Sequence, residues 1–101
     1  MNMKQRITVL GSTGSIGVNT LDVIARHPDQ FEVFALSAAS KVDALLAQCA
    51  QFQPRYAVMV DVDCARLLAD QVRAHGWATE VLAGPQALEL IAAHESVDAV
   101  M

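Results

Sequence analysis

Gly11-Ser12-Thr13-Gly14-Ser15-Ile16-Gly17 is the stretch of sequence that decides the fold. It follows residues 6–10, an apolar, β-branched run whose composition and length predict a buried strand. After the glycines the apolar residues recur at helical spacing, which predicts a helix that begins at Ser15 and stops before Pro28. A strand, a glycine-rich turn and a helix in this order are typical of a nucleotide-binding βαβ unit.

Each glycine of this loop has a predicted role. Gly11 allows the tight turn out of the strand, Gly14 lets a pyrophosphate approach the backbone, and Gly17 lets the helix lie close to the sheet. The amides of residues 13–16 then point at the anion from a helix N-terminus. The alternative is a glycine-rich turn that binds nothing, and the three small hydroxyl residues among the glycines argue against it.

The remaining sequence alternates between strand and helix patterns. Further strands are predicted over residues 31–37, 56–60, 79–83 and 97–101, and further helices over residues 42–52, over residues 65–75 and from Pro85 onward. Such alternation predicts an α/β fold, a doubly wound parallel sheet of the Rossmann type with right-handed crossovers. The first strand should lie between the second and the fifth, with Val100 on the side away from the second.

The apolar stripes place the helices against this sheet. On the first helix we expect Ile16, Thr20, Val23, Ile24 and His27 to form the apolar face. The chain stops inside its fifth apolar strand, so we expect residues 1–101 to be an incomplete N-terminal domain of a longer protein.

The end of the second strand predicts which dinucleotide binds. An NAD site usually has Asp or Glu there, but this chain has Ala39-Ser40-Lys41 and no acid before Asp43. A hydroxyl, free amides and an ammonium suit a 2′-phosphate, so the pattern favours NADPH. Alternatively, Ser40 and Asp43 have capping-box spacing, and Lys41 is simply solvated. The two interpretations are compatible, because a helix N-terminus itself attracts anions.

Composition excludes several classes of function. The net charge of −4, without any run of Lys and Arg, gives no surface for nucleic acid. The apolar runs are far shorter than the ~20 residues that cross a bilayer. Residues 1–6 are polar and lead into a strand, which argues against a secretory signal and for the cytoplasm. Cys49 and Cys64 match no metal or redox spacing and are expected to be buried, reduced thiols.

Other polar residues that attract attention have ordinary structural explanations. His27, His75 and His94 are expected in the last turns of helices, where imidazolium interacts favourably with the helix dipole. Asp61 and Asp63 precede the third helix, where an N-cap is the expected role. We therefore predict no catalytic residue and no metal ligand within this chain.

With these residues in place, the chain resembles the 1-deoxy-D-xylulose 5-phosphate reductoisomerase family. Besides the glycine loop, the resemblance rests on Thr20-Leu-Asp-Val23, His27-Pro28, Phe31, Val33, Ala35-Leu36, Phe52-x-Pro54, Tyr56-Ala-Val-Met59 and Val97-Asp98-x-Val100. These blocks cover essentially the whole chain, in order and at family-like spacing.

The resemblance implies a homodimer that rearranges and reduces a sugar phosphate in non-mevalonate isoprenoid biosynthesis, using NADPH and a divalent metal, Mg or Mn. It assigns Thr13, Gly14, Ser15 and Ile16 to the pyrophosphate and residues 39–41 to the 2′-phosphate. Relatives often carry a triplet such as Gly-Lys-Asn at this second place, which leaves the individual contacts there open. The metal ligands would lie beyond Met101, so this chain alone should be inactive.

Two other functions fit the glycine loop. A semialdehyde dehydrogenase or extended reductase that uses NADP shares the loop but should lack the His-Pro and Phe-x-Pro blocks. A regulatory module that binds coenzyme A or a nucleotide would need no chemistry at all.

Overall fold

Strands and helices alternate along the chain in the computed structural model, which describes residues 4–101. Within that range the strands are β1 (Gln5–Val9), β2 (Phe31–Ala38), β3 (Tyr56–Met59), β4 (Glu80–Ala83) and β5 (Ala99–Val100). The helices are α1 (Ser15–Arg26), α2 (Val42–Phe52), α3 (Val62–His75) and α4 (Gln86–Ala93). The sequence argument against a secretory signal rests on residues 1–6, and residues 1–3 of this segment lie outside the described range. No helix within residues 4–101 is long and apolar enough to span a membrane.

The sheet has the strand order β4-β3-β2-β1-β5, and every neighbouring pair is parallel. β1 lies between β2 and β5, and Val100 pairs with Thr8 on the side away from β2. The predicted α/β fold and strand placement are therefore confirmed.

The direction of each crossover explains which face each helix covers. The chain moves stepwise from β1 to β4, and the apolar residues of α1, α2 and α3 pack into one core cluster. It then returns across the sheet to β5, and Ala87 and Ile91 of α4 pack into a second cluster with Val58. Crossovers of one handedness that run in opposite directions must lie on opposite faces. The point where the direction reverses lies between β1 and β5.

A β-bulge in β2 was not predicted from the sequence. Ile7 pairs with Val33, but Thr8 pairs with Ala35, so Phe34 is the extra residue. Phe34 and Ala35 consequently both face the second cluster, although strict alternation would place them on opposite faces.

The expected apolar face of α1 is wrong in part. The buried residues are Gly17, Leu21 and Ile24, whereas Ile16 is 83% and Val23 52% exposed. The expected face and the buried face both have helical spacing. The sequence pattern favoured the face that carries Ile16 and Val23 over the face that begins with Gly17. The glycine decides the outcome, because its missing β-carbon lets that side of the helix approach the backbone of the loop.

Asp61 confirms its expected role as a helix cap. Its Oδ1 atom accepts a hydrogen bond of 2.9 Å from the amide of Cys64, and α3 therefore begins earlier than the apolar spacing predicts. This bond from the Cys64 amide also holds the pKa of the Asp61 carboxyl below its usual value. Cys64 itself is only half-buried, so the expectation of two buried thiols holds for Cys49 alone.

The chain ends and helix ends differ slightly from the sequence prediction. β5 is shorter than predicted, although the amides of Asp98 and Met101 still bond to carbonyls of β1. Of the histidines, only His75 lies within a helix, since His27 and His94 come just after α1 and α4.

Candidate functional site

The glycine loop lies at the carboxyl end of β1, between the ends of β2 and β5. Gly11 has a φ of +64°, a conformation that favours glycine, and its carbonyl accepts a hydrogen bond of 3.1 Å from the amide of Gly14. The chain is thus turned back on itself immediately before α1 begins. The predicted tight turn at Gly11 agrees with this geometry.

Gly17 lies where α1 comes closest to the loop. A β-carbon on Gly17 would be 2.4 Å from the carbonyl oxygen of Gly11 and 2.6 Å from the Cα atom of Ser12. Both distances are too short for any side chain. At Gly14, a β-carbon would meet only the Gly11 carbonyl, at 3.4 Å, and the side that faces away from the loop is open.

The first turn of α1 has backbone amides without a hydrogen-bond partner in the helix. The first four N–H groups of a helix have no partner within it, and here these belong to Gly14, Ser15, Ile16 and Gly17. Within residues 4–101 no side chain caps this helix, and the Gly14 amide is engaged by Gly11. The amides of Ser15, Ile16 and Gly17 therefore remain available, together with the positive end of the helix dipole, which makes this N-terminus a suitable place for an anion.

An open cleft of about 420 Å³ adjoins these amides. It is lined by Gly14, Ser15, Ile16 and Gly17 on one side and by Leu10 and Met101 on the other. The predicted site residues of the loop that line this cleft are Gly11, Gly14, Ser15, Ile16 and Gly17, while Thr13 is half-buried and lies outside the lining. The cleft coincides with the point where the crossover direction reverses, which is where ligands bind in open α/β sheets.

Two polar residues that the sequence did not single out, Ser37 of β2 and Gln48 of α2, form hydrogen bonds with the loop. The amide of Gly11 donates to Ser37 Oγ (3.0 Å), and the amide of Ser12 donates to the Ser37 carbonyl (2.8 Å). Gln48 of α2 accepts from the Ser12 hydroxyl at Oε1 (2.6 Å) and donates from Nε2 to the Ser12 carbonyl (2.8 Å). No motif marks these residues, because a buried serine or a helical glutamine is common in any sequence.

The residues that follow β2 leave two polar side chains exposed. The Ala39 carbonyl accepts from the Asp61 amide (3.0 Å), which holds this turn against the start of α3. Ser40 and Lys41 are exposed, and Ser40 and Asp43 line a depression of about 560 Å³. The N-cap of α2 is Lys41, and within residues 4–101 no side chain caps this helix. The capping-box role considered for Ser40 is therefore wrong, and its hydroxyl is not engaged by the helix.

Within the described part of the chain, groups for a metal do not converge. Within residues 4–101 no cluster of three or more His, Cys, Asp or Glu side chains has the arrangement needed to hold an ion. The imidazole of His94 packs against Phe34 (4.9 Å) and Tyr56 (5.7 Å), and its Nδ1 accepts from the Ser96 amide. These contacts hold the turn that follows α4.

Comparison with known proteins agrees with this geometry. The family model for 1-deoxy-D-xylulose 5-phosphate reductoisomerase matches residues 7–101. The enzyme of that name from Aromatoleum aromaticum is 59% identical over 97 residues, which cover 96% of this chain and 24% of the relative. That from Nitrosospira multiformis is 55% identical over 97 residues, covering 96% and 25%. The chain therefore spans about a quarter of the length of these relatives.

Solved structures give the same result. A crystal structure of DOX-P reductoisomerase in complex with NADPH, fosmidomycin and magnesium has a TM-score of 0.91 at 38% identity, covering 95% of this chain and 23% of that one. The Zymomonas mobilis reductoisomerase in complex with NADPH has a TM-score of 0.87 at 35% identity, covering 98% and 25%. The resemblance inferred from the sequence is confirmed: this chain belongs to the 1-deoxy-D-xylulose 5-phosphate reductoisomerase family.

Proposed function

We propose that this chain binds NADPH, with the pyrophosphate at the N-terminus of α1. The observation that carries the proposal is the set of unpaired amides of Ser15, Ile16 and Gly17, three residues that line an open cleft at the switch point of the sheet. A pyrophosphate satisfies such amides and is stabilised by the helix dipole. Two solved relatives are described as complexes with NADPH, which supports the same ligand here.

We further propose that Ala39, Ser40 and Lys41 receive the 2′-phosphate. They directly follow β2, whose Ser37 is bonded to the glycine loop, so the two parts of the site share one edge of the sheet. The Ser40 hydroxyl and the Lys41 ammonium are exposed, and the Asp61 carboxylate accepts a hydrogen bond at the N-terminus of α3. A carboxylate at the end of β2, which would repel a phosphate, is absent from the sequence.

In the longer protein, residues 1–101 form the N-terminal part of the NADPH-binding domain. We propose that this protein converts 1-deoxy-D-xylulose 5-phosphate to 2-C-methyl-D-erythritol 4-phosphate as a cytoplasmic homodimer. We propose that residues outside this chain hold a magnesium or manganese ion for that reaction. The free thiols of Cys49 and Cys64 suit a reducing compartment.

A panel of ligands and an activity assay test this function. NADPH should raise the midpoint of thermal unfolding of the chain more than NADH does, and coenzyme A should leave it unchanged. The chain alone should not oxidise NADPH when sugar phosphate and metal are supplied, because it holds only the adenosine and pyrophosphate half of the site. Stabilisation by coenzyme A instead of NADPH would favour a regulatory module, and turnover by this chain would refute its assignment as a cofactor-binding portion.

A further inference from the structure

The contacts of Gln48 with the glycine loop suggest a role beyond packing. Gln48 lies on α2, far from the loop in sequence, and both polar atoms of its amide reach Ser12. Ser12 is fully buried, and its hydroxyl lies 2.6 Å from Gln48 Oε1 but 3.2 Å from the Ser37 carbonyl. A hydroxyl has one proton to donate, so the shorter contact to Gln48 receives it. The Ser12 carbonyl accepts the second bond, from Gln48 Nε2.

The first turn of α1 also packs directly against the backbone of Ser12. The Cα atom of Gly17 approaches the backbone of Ser12 so closely that a β-carbon would lie 2.6 Å from the Ser12 Cα atom. A movement of Ser12 must therefore move the N-terminus of α1. The amides of Ser15, Ile16 and Gly17 belong to that turn, and their direction depends on it.

We propose that Gln48 is a positioning residue for the cofactor: by bonding the hydroxyl and the carbonyl of Ser12, it orients the amides that receive the pyrophosphate. The inference rests on the proposed NADPH function and extends it to a residue that does not line the cleft. Two bonds, one to the side chain and one to the carbonyl, restrain Ser12 more than either bond alone does. Because the pyrophosphate is common to NADPH and NADH, Gln48 should affect both cofactors equally.

The test compares Gln48→Leu with two control variants of this chain. Gln48→Leu removes both hydrogen bonds at similar volume. Gln51→Leu changes an exposed glutamine of the same helix, and Val72→Ala destabilises the core of α3 without touching the loop. For each variant, the affinities for NADPH and NADH and the midpoint of thermal unfolding are measured, with titrations well below that midpoint. Under those conditions a simple loss of stability does not alter affinity, because almost all of the protein is folded.

We expect Gln48→Leu to weaken NADPH and NADH by the same factor, about five- to tenfold for the two lost bonds. Gln51→Leu should change neither affinity, and Val72→Ala should lower only the unfolding midpoint. If Gln48→Leu does not fold, Gln48→Glu serves instead, because it keeps the acceptor for the Ser12 hydroxyl and places an oxygen against the Ser12 carbonyl. It should weaken both cofactors in the same way.

Unchanged affinities in a folded Gln48 variant would overturn the inference while leaving NADPH binding intact. A loss confined to NADPH, or an equal loss in Val72→Ala, would also overturn it. If the unmodified chain binds neither cofactor, the proposed function itself fails, and the role of Gln48 fails with it.

Discussion

Gly17 and Gly14 belong to one motif, but a β-carbon would clash with the backbone only at Gly17. In Gly17→Ala the new β-carbon meets backbone atoms of Gly11 and Ser12, which cannot move independently of the loop. Alanine is normally favoured over glycine in a helix by about 1 kcal/mol, but the overpacking costs roughly 1–3 kcal/mol and should win. We expect Gly17→Ala to lower both the free energy of unfolding and the affinity for NADPH, as chemical denaturation and titration would show.

Gly14→Ala is the matched variant. Its β-carbon makes only an ordinary contact at 3.4 Å, and its φ of −79° suits any residue. The free energy of unfolding should therefore change little, while the added carbon occupies the approach of the pyrophosphate and weakens NADPH. A Gly14→Ala variant that binds NADPH normally would show that the pyrophosphate lies elsewhere.

Lys41 tests the choice between the two dinucleotides. Lys41→Glu replaces an exposed cation with a negative charge beside the proposed 2′-phosphate. A charge-assisted hydrogen bond contributes roughly 1.5–3 kcal/mol, so NADPH affinity should fall at least about tenfold. NADH lacks this phosphate and should bind as before. If titration gives an unchanged ratio of the two affinities, Lys41 does not belong to the site.

Cys49 gives a pH dependence that is independent of the cofactor. Burial raises the pKa of its thiol from 9.0 to about 11. The thiol of the unfolded chain ionises first as the pH rises, so the stability that the neutral thiol contributes is present below pH 9 and lost between about pH 9 and 11. The midpoint of thermal unfolding should fall more steeply over this window in the unmodified chain than in Cys49→Ala. Parallel slopes would contradict the assignment.

At the scale of the elements, sequence periodicity predicted buried helix faces that depend on apolar side chains. It failed where a backbone contact or a β-bulge determines which residues are buried. In α2 and α3 the residues Leu45, Cys49, Ala65 and Leu68 are buried for their own hydrophobicity and recur at helical spacing. The buried face of α1 was not predicted, because a close contact that depends on the missing β-carbon of Gly17 leaves no hydrophobic pattern in the sequence. The bulge at Phe34 is likewise a property of strand pairing that alternation within one strand cannot show.

The residues of the candidate site likewise fall into those that the sequence predicted and those that it did not. The glycines were found from the sequence because the chemistry of phosphate binding requires them in a fixed place after a strand. Gln48 and Ser37 were not found, because their role depends on α2 and β2 meeting the loop in three dimensions. The capping-box spacing of Ser40 and Asp43 was misleading, since α2 begins after Lys41 and uses neither side chain as a cap.

At the scale of the whole molecule, one reversal of direction places the proposed cofactor site. Helices α1, α2 and α3 cover one face and α4 covers the other, because the direction of the crossovers reverses between β1 and β5. The cleft beside the glycine loop opens at that point. We expect the chain to bind NADPH with a dissociation constant of about 0.1–1 mM, or roughly −4 to −5.5 kcal/mol, because we propose that it holds only the adenosine and pyrophosphate half of the site.

Titration of the ¹⁵N-labelled chain with NADPH, monitored by NMR of the backbone amides, tests both whether the cofactor binds and which residues it contacts. The account predicts saturable shifts that are largest at Ser15, Ile16 and Gly17, with a second group at Ser40 and Lys41 that is absent when NADH is used. Shifts confined to the opposite edge of the sheet, for example at Thr79, or no shift at millimolar NADPH, would contradict it.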